Sequence, residues 1–361
     1  MIIQENIPLA SYTTFKIGGN ARFFCKVTNE DELIEAVKFA HEKGVADTSL
    51  SGAPLPILVL GGGSNLLISD DGFPGLVIKN EIRGVTTELN IESVTSDSGF
   101  KFVSAGSGEV WDDIVAYIVD RGLWGIENLS AIPGTVGATP VQNIGAYGAE
   151  VSQAISSVRV LDTKDFDSKS PKFVEFSNAE CKFGYRDSIF KHEHGRYIIS
   201  RVTYKLSKKG EVTMNYKDVR DYFNNKRILK PTISEMRKAV VEIRASKLPD
   251  WTKWGTAGSF FKNPYISVAK FVELKVKYPT LPGFPELDGR VKVSLGWIFD
   301  KVCNARGLVI GNAGTYEKQA LVLVAKPGAK AVDVKAVADE LISRVKEKTG
   351  IVIEPEVEWV G

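Results

Sequence analysis

At 361 residues the chain is longer than one compact core usually absorbs, so two or three subdomains are expected. Hydrophobic residues at 43% and charged residues at 25% are ordinary for a globular protein and exclude a disordered or fibrous chain. The net charge of +2 has no basic block behind it, which argues against nucleic acid as a partner but leaves room for a small anionic ligand. The first periodic segment, residues 31–43, places Leu33, Ala36, Val37 and Ala40 on one face of a helix. Residues 46–56 are rich in Ser, Gly and Pro and read as an exposed loop. The apolar run 56–60 is of buried-strand type and leads straight into Gly61-Gly62-Gly63-Ser64-Asn65. Strands are expected at 66–69, 75–78 and 101–104, then a helix at 111–121 stopped by Gly122. Strands follow at 158–161, 173–176 and 197–206. A helix at 234–247 has Ser234 as its cap and Met236, Ala239, Val240 and Ile243 inward. The last third reads as a helix at 292–303, a strand at 319–325, an amphipathic helix at 332–349 and a closing strand at 351–357. This alternation points to an α/β or α+β class without fixing topology.

Cys25, Cys181 and Cys303 are sparse and odd in number, which implies no disulfide framework and a reducing compartment. No CxxC or Cys/His cluster offers a zinc site. The start, Met1-Ile2-Ile3-Gln4-Glu5-Asn6, lacks the charged and apolar regions of a signal peptide. No apolar run approaches the roughly 20 residues that a membrane helix needs. A cytoplasmic protein without membrane insertion is therefore expected.

Three segments join glycines to neutral hydrogen-bonding residues. Gly61-Gly62-Gly63-Ser64-Asn65 lets backbone approach a ligand and offer N–H groups to phosphate oxygens. It is no Rossmann fingerprint: position 66 is Leu66, and a strand rather than a helix should follow. A plain tight turn stays open for this segment alone. Ile132-Pro133-Gly134-Thr135-Val136-Gly137-Ala138 runs on to Gln142-Asn143-Ile144-Gly145-Ala146-Tyr147-Gly148. The third is Thr13-Thr14-Phe15-Lys16-Ile17-Gly18-Gly19. Together they suit a large heterocycle bound with its pyrophosphate.

In order and spacing these segments resemble the FAD-binding segments of the UDP-N-acetylenolpyruvoylglucosamine reductases, from about residue 6 to the C-terminus. The Gly-Gly-Gly-Ser-Asn loop alone is shared with the broader vanillyl-alcohol-oxidase-like flavoproteins; the stretch 132–148 is more specific. The resemblance extends through Cys181-Lys182-Phe183-Gly184-Tyr185-Arg186-Asp187-Ser188 and Ser246-Lys247-Leu248-Pro249-Asp250. It continues in Gly255-Thr256-Ala257-Gly258-Ser259-Phe260-Phe261-Lys262-Asn263-Pro264 and Glu354-Pro355-Glu356-Val357. It implies an α+β fold with two FAD-binding α/β lobes, 1–83 and 84–248, and a substrate domain at 249–350. A C-terminal strand, 351–361, would return to the lobes. Thr213-Met214-Asn215-Tyr216-Lys217-Asp218 resembles the type that keeps a tyrosine-bearing loop over the substrate.

What the resemblance implies chemically is an NADPH-dependent oxidoreductase of peptidoglycan precursor synthesis. It reduces the enolpyruvyl ether of a UDP-sugar through non-covalent FAD, in a bacterial cytoplasm and as a monomer. Cofactor contacts would come from Thr14, Gly61, Gly62, Gly63, Ser64, Asn65, Ile132, Pro133, Gly134, Gly137, Asn143, Gly145, Tyr147 and Gly148. The residues alone favour a surface arginine paired with Asp187, but the matching motif implies that Arg186 forks onto the substrate carboxylate. Glu356 would lie near that carboxylate and act protonated or through a hydrogen bond; the bland alternative is an exposed glutamate sharing a strand face with Glu354 and Glu358. Ser259 would protonate the carbon next to the carboxylate, against its reading as an ordinary turn serine. Tyr216, Lys247, Asn263 and Gln319 would hold the substrate. His41, His192 and His194 read as structural or exposed, and no metal is implied. A flavin oxidase of the same fold and a nucleotide-binding module without turnover are the rivals.

Overall fold

The computed structural model describes residues 1–46, 53–87, 99–164, 166–212 and 214–361. Helices and strands are interspersed throughout, so the class is α+β. The chain forms two compact units. The first comprises Met1–Ile7, Ala21–Gly62 and Pro74–Ser246, the second Pro8–Asn20, Gly63–Phe73 and Lys247–Gly361.

In the first unit, one sheet has the order Gln4–Pro8, Asn20–Val27, Phe73–Asn80, Ile57–Leu60. Ile57–Leu60 runs parallel to its partner, Ile57 opposite Leu76 and Leu60 opposite Lys79. The helix Glu30–Ala46 covers this sheet because Leu33, Ala36, Val37 and Ala40 recur at helical spacing and bury against Phe23, Cys25, Leu76 and Ile78. Asn29 Oδ1 accepts from the Glu32 N–H (2.9 Å) and starts the helix. The loop expected at 46–56 lies partly outside the described residues. Its described end corrects the reading in one respect: Leu55 is buried, because an apolar side chain between two prolines joins this core.

A second, antiparallel sheet has the order Lys172–Ser177, Ile155–Asp162, Tyr197–Ser207, Phe100–Gly106, Val85–Thr87. The helix Trp111–Val119 buries Trp111, Ile114, Val115 and Ile118 against Val103, Val158, Val202 and Tyr204. Gly122 follows it in the left-handed region (φ +66°). Helices Lys217–Lys226 and Ile233–Lys247 pack through Val219 and Phe223 on Met236, Ala239, Val240 and Ile243. The inward face matches the expectation, but the cap is Thr232, not Ser234. The Thr232 N–H and hydroxyl donate to Glu235 (2.8 and 3.0 Å) and the Glu235 N–H donates back (3.2 Å), a capping box that Ser234 cannot form.

The second unit holds two three-stranded antiparallel sheets. One is Tyr265–Ser267, Arg290–Val293, Gly283–Pro285, and the other Val309–Ile310, Ala313–Thr315, Leu323–Ala325. The helix Ala331–Thr349 buries Val334, Val337, Leu341 and Val345 in the same core as Phe299 and Leu323. The helix Val268–Lys277, capped by Ser267, was not legible from periodicity because Val268, Val272 and Val276 on it are exposed.

Three readings are corrected here. Residues 292–303 are not one helix: Lys292 and Val293 complete a strand, then Ser294 caps the turn Leu295–Trp297, which continues into the wider turn Ile298–Val302. The strand in 319–325 is only Leu323–Ala325, since the Val322 N–H closes a turn on the Gln319 carbonyl (3.0 Å). The closing strand is Glu358–Val360, which pairs in parallel with Leu66–Ile68, while 351–357 bridges only at Pro355, opposite Phe261. Glu354 and Glu356 therefore share no strand face; Glu354 is exposed and Glu356 half-buried.

Candidate functional site

In the first unit Gly61 and Gly62, which open the glycine loop, touch the stretch 132–148. A side chain on Gly62 would meet the Gly134 Cα at 2.7 Å, and one on Gly61 would meet Thr135 Oγ1 at 2.5 Å. Glycine is needed so that backbone can pack on backbone. The stretch 132–148 is stitched to residues 107–111. Val136 N–H donates to Glu109 (2.9 Å), Gly137 N–H to Ser107 (2.9 Å), and Trp111 N–H to Gly134 (3.1 Å). Ile132, Pro133, Gly134 and Gly145 are half-buried; Gly148 is exposed, with open space where a Cβ would stand. Among the described residues nine non-glycines have positive φ, and Ala131, Asn143, Tyr147 and Arg186 are four of them. That concentration marks a backbone held in costly conformations at one place.

Arg186 is held against the glycine stretch. Its guanidinium donates to the carbonyls of Gly145 and Asn143, while Asp187 pairs with His192 (2.9 Å). Asn143 is buried, and its side-chain amide is engaged within the protein: Nδ2 donates to Glu150 (2.9 Å) and to the Gly184 carbonyl (2.9 Å), and Oδ1 accepts from Ser152 (3.1 Å). Asn143 thereby ties the glycine stretch to the turn that carries Arg186. Tyr216 caps the helix Lys217–Lys226, and its ring meets that of Tyr147 edge-on at 5.3 Å. Burial raises both phenols' pKa, that of Tyr147 to about 12, so both are neutral donors at physiological pH. Thr213, at the start of the expected tyrosine loop, lies outside the described residues.

In the second unit Thr14 binds the glycine loop, its N–H donating to Gly63 (3.1 Å), while its carbonyl accepts from Thr256 (3.1 Å). A Cβ on Gly63 would collide with the Tyr12 carbonyl, and Gly63 has φ +59°, so this position requires glycine. Ser64 and Asn65 are half-buried beyond it. Ser259 is half-buried on an extended segment that bridges to Val322; the next residue, Phe260, donates its N–H to Leu321 (2.9 Å) and accepts from Glu356 (2.8 Å). Ser259 and Glu356 therefore sit on neighbouring extended segments. Gly258, at φ +74° with open space about its missing side chain, makes the turn before the serine. Asn263 Oδ1 accepts from the Leu295 N–H (2.9 Å), and Gln319 Oε1 lies 3.2 Å from a Cβ built on Gly296, so both polar side chains converge on one turn. Lys247, half-buried, ends the helix Ile233–Lys247.

Sequence reasoning missed several charged residues around the glycine segments. Lys79 is half-buried and donates to the Gly61 carbonyl; burial lowers its ammonium pKa. Arg244 donates to the Ala131 carbonyl (3.2 Å), and its charge acts on the Tyr147 phenol. Arg237 forks onto Asp112 (2.6 and 2.9 Å). Arg237 and Arg244 lie seven apart, two helical turns, on a helix whose apolar face was read correctly; that spacing was the available signal. His41 packs against Phe166 with the rings tilted and their centroids 5.2 Å apart. The three thiols are buried, and burial pushes those of Cys25 and Cys181 up to about 12. No group of three or more His, Cys, Asp or Glu that could hold a metal occurs among the described residues, and none of their helices is long and apolar enough to cross a membrane.

Within the first unit the residues present fit FAD. Two backbone-walled glycine segments in contact suit a flat heterocycle and its pyrophosphate, and the cations Lys79 and Arg244 suit the phosphate charge.

Residues 21–165 match the family model described as "FAD binding domain", and residues 250–360 match "UDP-N-acetylenolpyruvoylglucosamine reductase, C-terminal domain". A UDP-N-acetylenolpyruvoylglucosamine reductase of Pseudomonas aeruginosa is 39% identical over 354 residues, with 98% of each chain covered. The one from Porphyromonas gingivalis W83 is 39% identical over 361 residues, with 100% of each covered. Among solved structures, the UDP-N-acetylenolpyruvylglucosamine reductase of Thermus caldophilus is 24% identical, covers 100% of both chains and superposes with a TM-score of 0.62, which speaks to the fold.

Proposed function

The chain belongs to the UDP-N-acetylenolpyruvoylglucosamine reductase family, and on that premise we propose that it is the NADPH-dependent flavoenzyme that reduces UDP-N-acetylenolpyruvoylglucosamine to UDP-N-acetylmuramate for peptidoglycan. The observation that carries the reading is full-length similarity at 39% identity, joined to glycine segments built for a dinucleotide. When bound, FAD supplies the two-electron relay between the nicotinamide and the alkene. Thr14, Gly61 to Asn65, Ile132 to Gly134, Gly137, Asn143, Gly145, Tyr147 and Gly148 would hold it.

The chain's own residues have three tasks. Arg186 binds the pyruvyl carboxylate through its guanidinium fork, where negative charge spreads as the alkene accepts hydride. Its ties to Gly145 and Asn143 support that role by fixing the guanidinium before substrate arrives. Glu356 stabilises the same charge through a hydrogen bond. The Ser259 hydroxyl delivers a proton to the carbon beside the carboxylate; a serine suffices because a carbon enolate is a strong base. Lys247, Tyr216, Asn263 and Gln319 bind the UDP-sugar, with NADPH using the same site in turn.

Residues 1–83 and 84–248 make up the FAD-binding lobes in this reading, 249–350 the substrate domain and 351–361 the returning strand; the family match beginning at 250 supports the third boundary. The enzyme works as a cytoplasmic monomer. An absorbance spectrum decides the core of the proposal. The purified protein should be yellow, bleach under anaerobic NADPH, and regain colour with the enolpyruvyl substrate. Reoxidation by oxygen alone would make it an oxidase, and no bleaching would leave a binding module.

A further inference from the structure

Ala131 immediately precedes Ile132-Pro133-Gly134 and has φ +58°. Alanine has no polar side chain to stabilise the left-handed region, as asparagine does, so something else must hold it there. Both of its backbone polar groups are gripped. Its N–H donates to Asp112 Oδ1 (2.6 Å), and its carbonyl accepts from Arg244 Nε (3.2 Å). Asp112 lies in the first turn of Trp111–Val119 and is itself held by the fork of Arg237.

We propose that Asp112 is a positioning residue for the cofactor-binding stretch: fixed by Arg237, its carboxylate locks Ala131 in the left-handed conformation and so sets the path of 132–148 before any ligand arrives. Arg237 and Arg244 come from one face of Ile233–Lys247, so that helix closes the clamp from the other side. The electrostatics agree. Burial alone would raise the Asp112 pKa, but the hydrogen bonds from Arg237 and Ala131 and the charges of Arg237 and Arg244 outweigh it, so the carboxylate stays ionised.

The inference rests on FAD being the ligand of that stretch, and the test separates the two. Apoprotein of Asp112→Ala should exchange the amide hydrogens of Ala131, Ile132 and Gly134 faster than wild type. Its dissociation constant for FAD, read from flavin fluorescence, should rise about tenfold, the size of losing one hydrogen bond to a charged group. Asp112→Asn, which keeps an acceptor but not the charge, should fall between. Adding Ala131→Gly to Asp112→Ala should recover much of the affinity, because glycine adopts the left-handed conformation without help; a simple packing defect would not be rescued this way. Unchanged exchange and unchanged FAD affinity in Asp112→Ala would overturn the clamp, as would failure of the glycine rescue. If Asp112→Ala does not fold, Asp112→Asn carries the same two measurements. Wild-type protein that takes up no FAD would sink the functional reading, while exchange at Ala131, Ile132 and Gly134 would still decide the clamp.

Discussion

Asn65, the last residue of the glycine loop, is bonded twice to the segment that carries Glu356. Its Nδ2 donates to the Glu356 carbonyl (3.1 Å), and its own carbonyl accepts from the Glu358 N–H (3.0 Å). The loop read from sequence as a cofactor cradle thus also aims the backbone of a proposed catalytic carboxyl. Asn65→Ala should slow substrate reduction by roughly tenfold to a hundredfold, the scale of a small misplacement of a reacting group. Stopped-flow traces with saturating FAD would check it, and a normal rate would show that Glu356 is held by its neighbours alone.

Arg186→Ala and Glu356→Ala should each cost about 2–4 kcal/mol in the reduction of substrate, by analogy with removing an oxyanion donor. Reduction of bound FAD by NADPH should change far less. Equal losses in both half-reactions would instead indicate damage to the flavin site, a real risk for Arg186 because it braces Asn143 and Gly145.

Tyr216→Phe and Lys247→Ala should raise the KM for the UDP-sugar by about tenfold or more while FAD content stays normal. The edge-on contact between Tyr216 and Tyr147 survives in the phenylalanine variant, so its defect would isolate the hydroxyl. Initial-rate patterns should be ping-pong. Intersecting patterns, with both ligands bound at once, would contradict a shared site.

Ser259→Ala should leave bleaching by NADPH near normal and slow reoxidation by substrate about 10²–10⁴-fold, the usual contribution of a general acid. Ser259→Cys should recover part of the loss, since a thiol can also donate. Normal reoxidation in the alanine variant would return the serine to a turn residue.

Acid stability offers a test independent of flavin. Glu30 accepts from Arg159 (2.8 and 3.1 Å) and Ser200 (2.7 Å). Burial pushes its pKa up, but these bonds and the Arg159 charge pull it below the ordinary 4.5. A folded-state pKa below the unfolded one means stability that is full above the unfolded value and lost as pH falls through the folded one. Glu30→Gln should therefore be less stable than wild type at neutral pH, and the gap should close in acid below the usual carboxylate range. Urea midpoints at several pH values would reveal a gap that fails to close.

Much of the architecture was legible because burial has a period. The inward face of Glu30–Ala46 and of Ile233–Lys247 could be listed from spacing alone, and Ala331–Thr349 could be read as amphipathic. What escaped was decided by single hydrogen bonds. Thr232 outcompeted Ser234 as cap because Glu235 stands three residues after it. Ser294 broke the apparent helix 292–303, and the pairing partner of Glu358–Val360 lies far back in the chain at Leu66–Ile68. At the site, motif resemblance selected Arg186, Ser259 and Glu356, whereas composition could not tell Arg186 from a surface arginine. Asp112, Arg237 and Arg244 stayed hidden because the seven-residue spacing of the two arginines does not name their partner, here a left-handed alanine.

The parallel pairing of Glu358–Val360 with Leu66–Ile68 sets an order of events during synthesis. Residues 63–73 emerge early, with Pro8–Asn20 of the same unit, but the rest of that unit begins only at Lys247. Until residue 360 has left the ribosome, Leu66–Ile68 is an apolar edge without its partner strand, open to other chains. The first unit, complete at Ser246, has all of its sheet partners well before that. A pairing of such long sequence separation is the kind that forms late in folding.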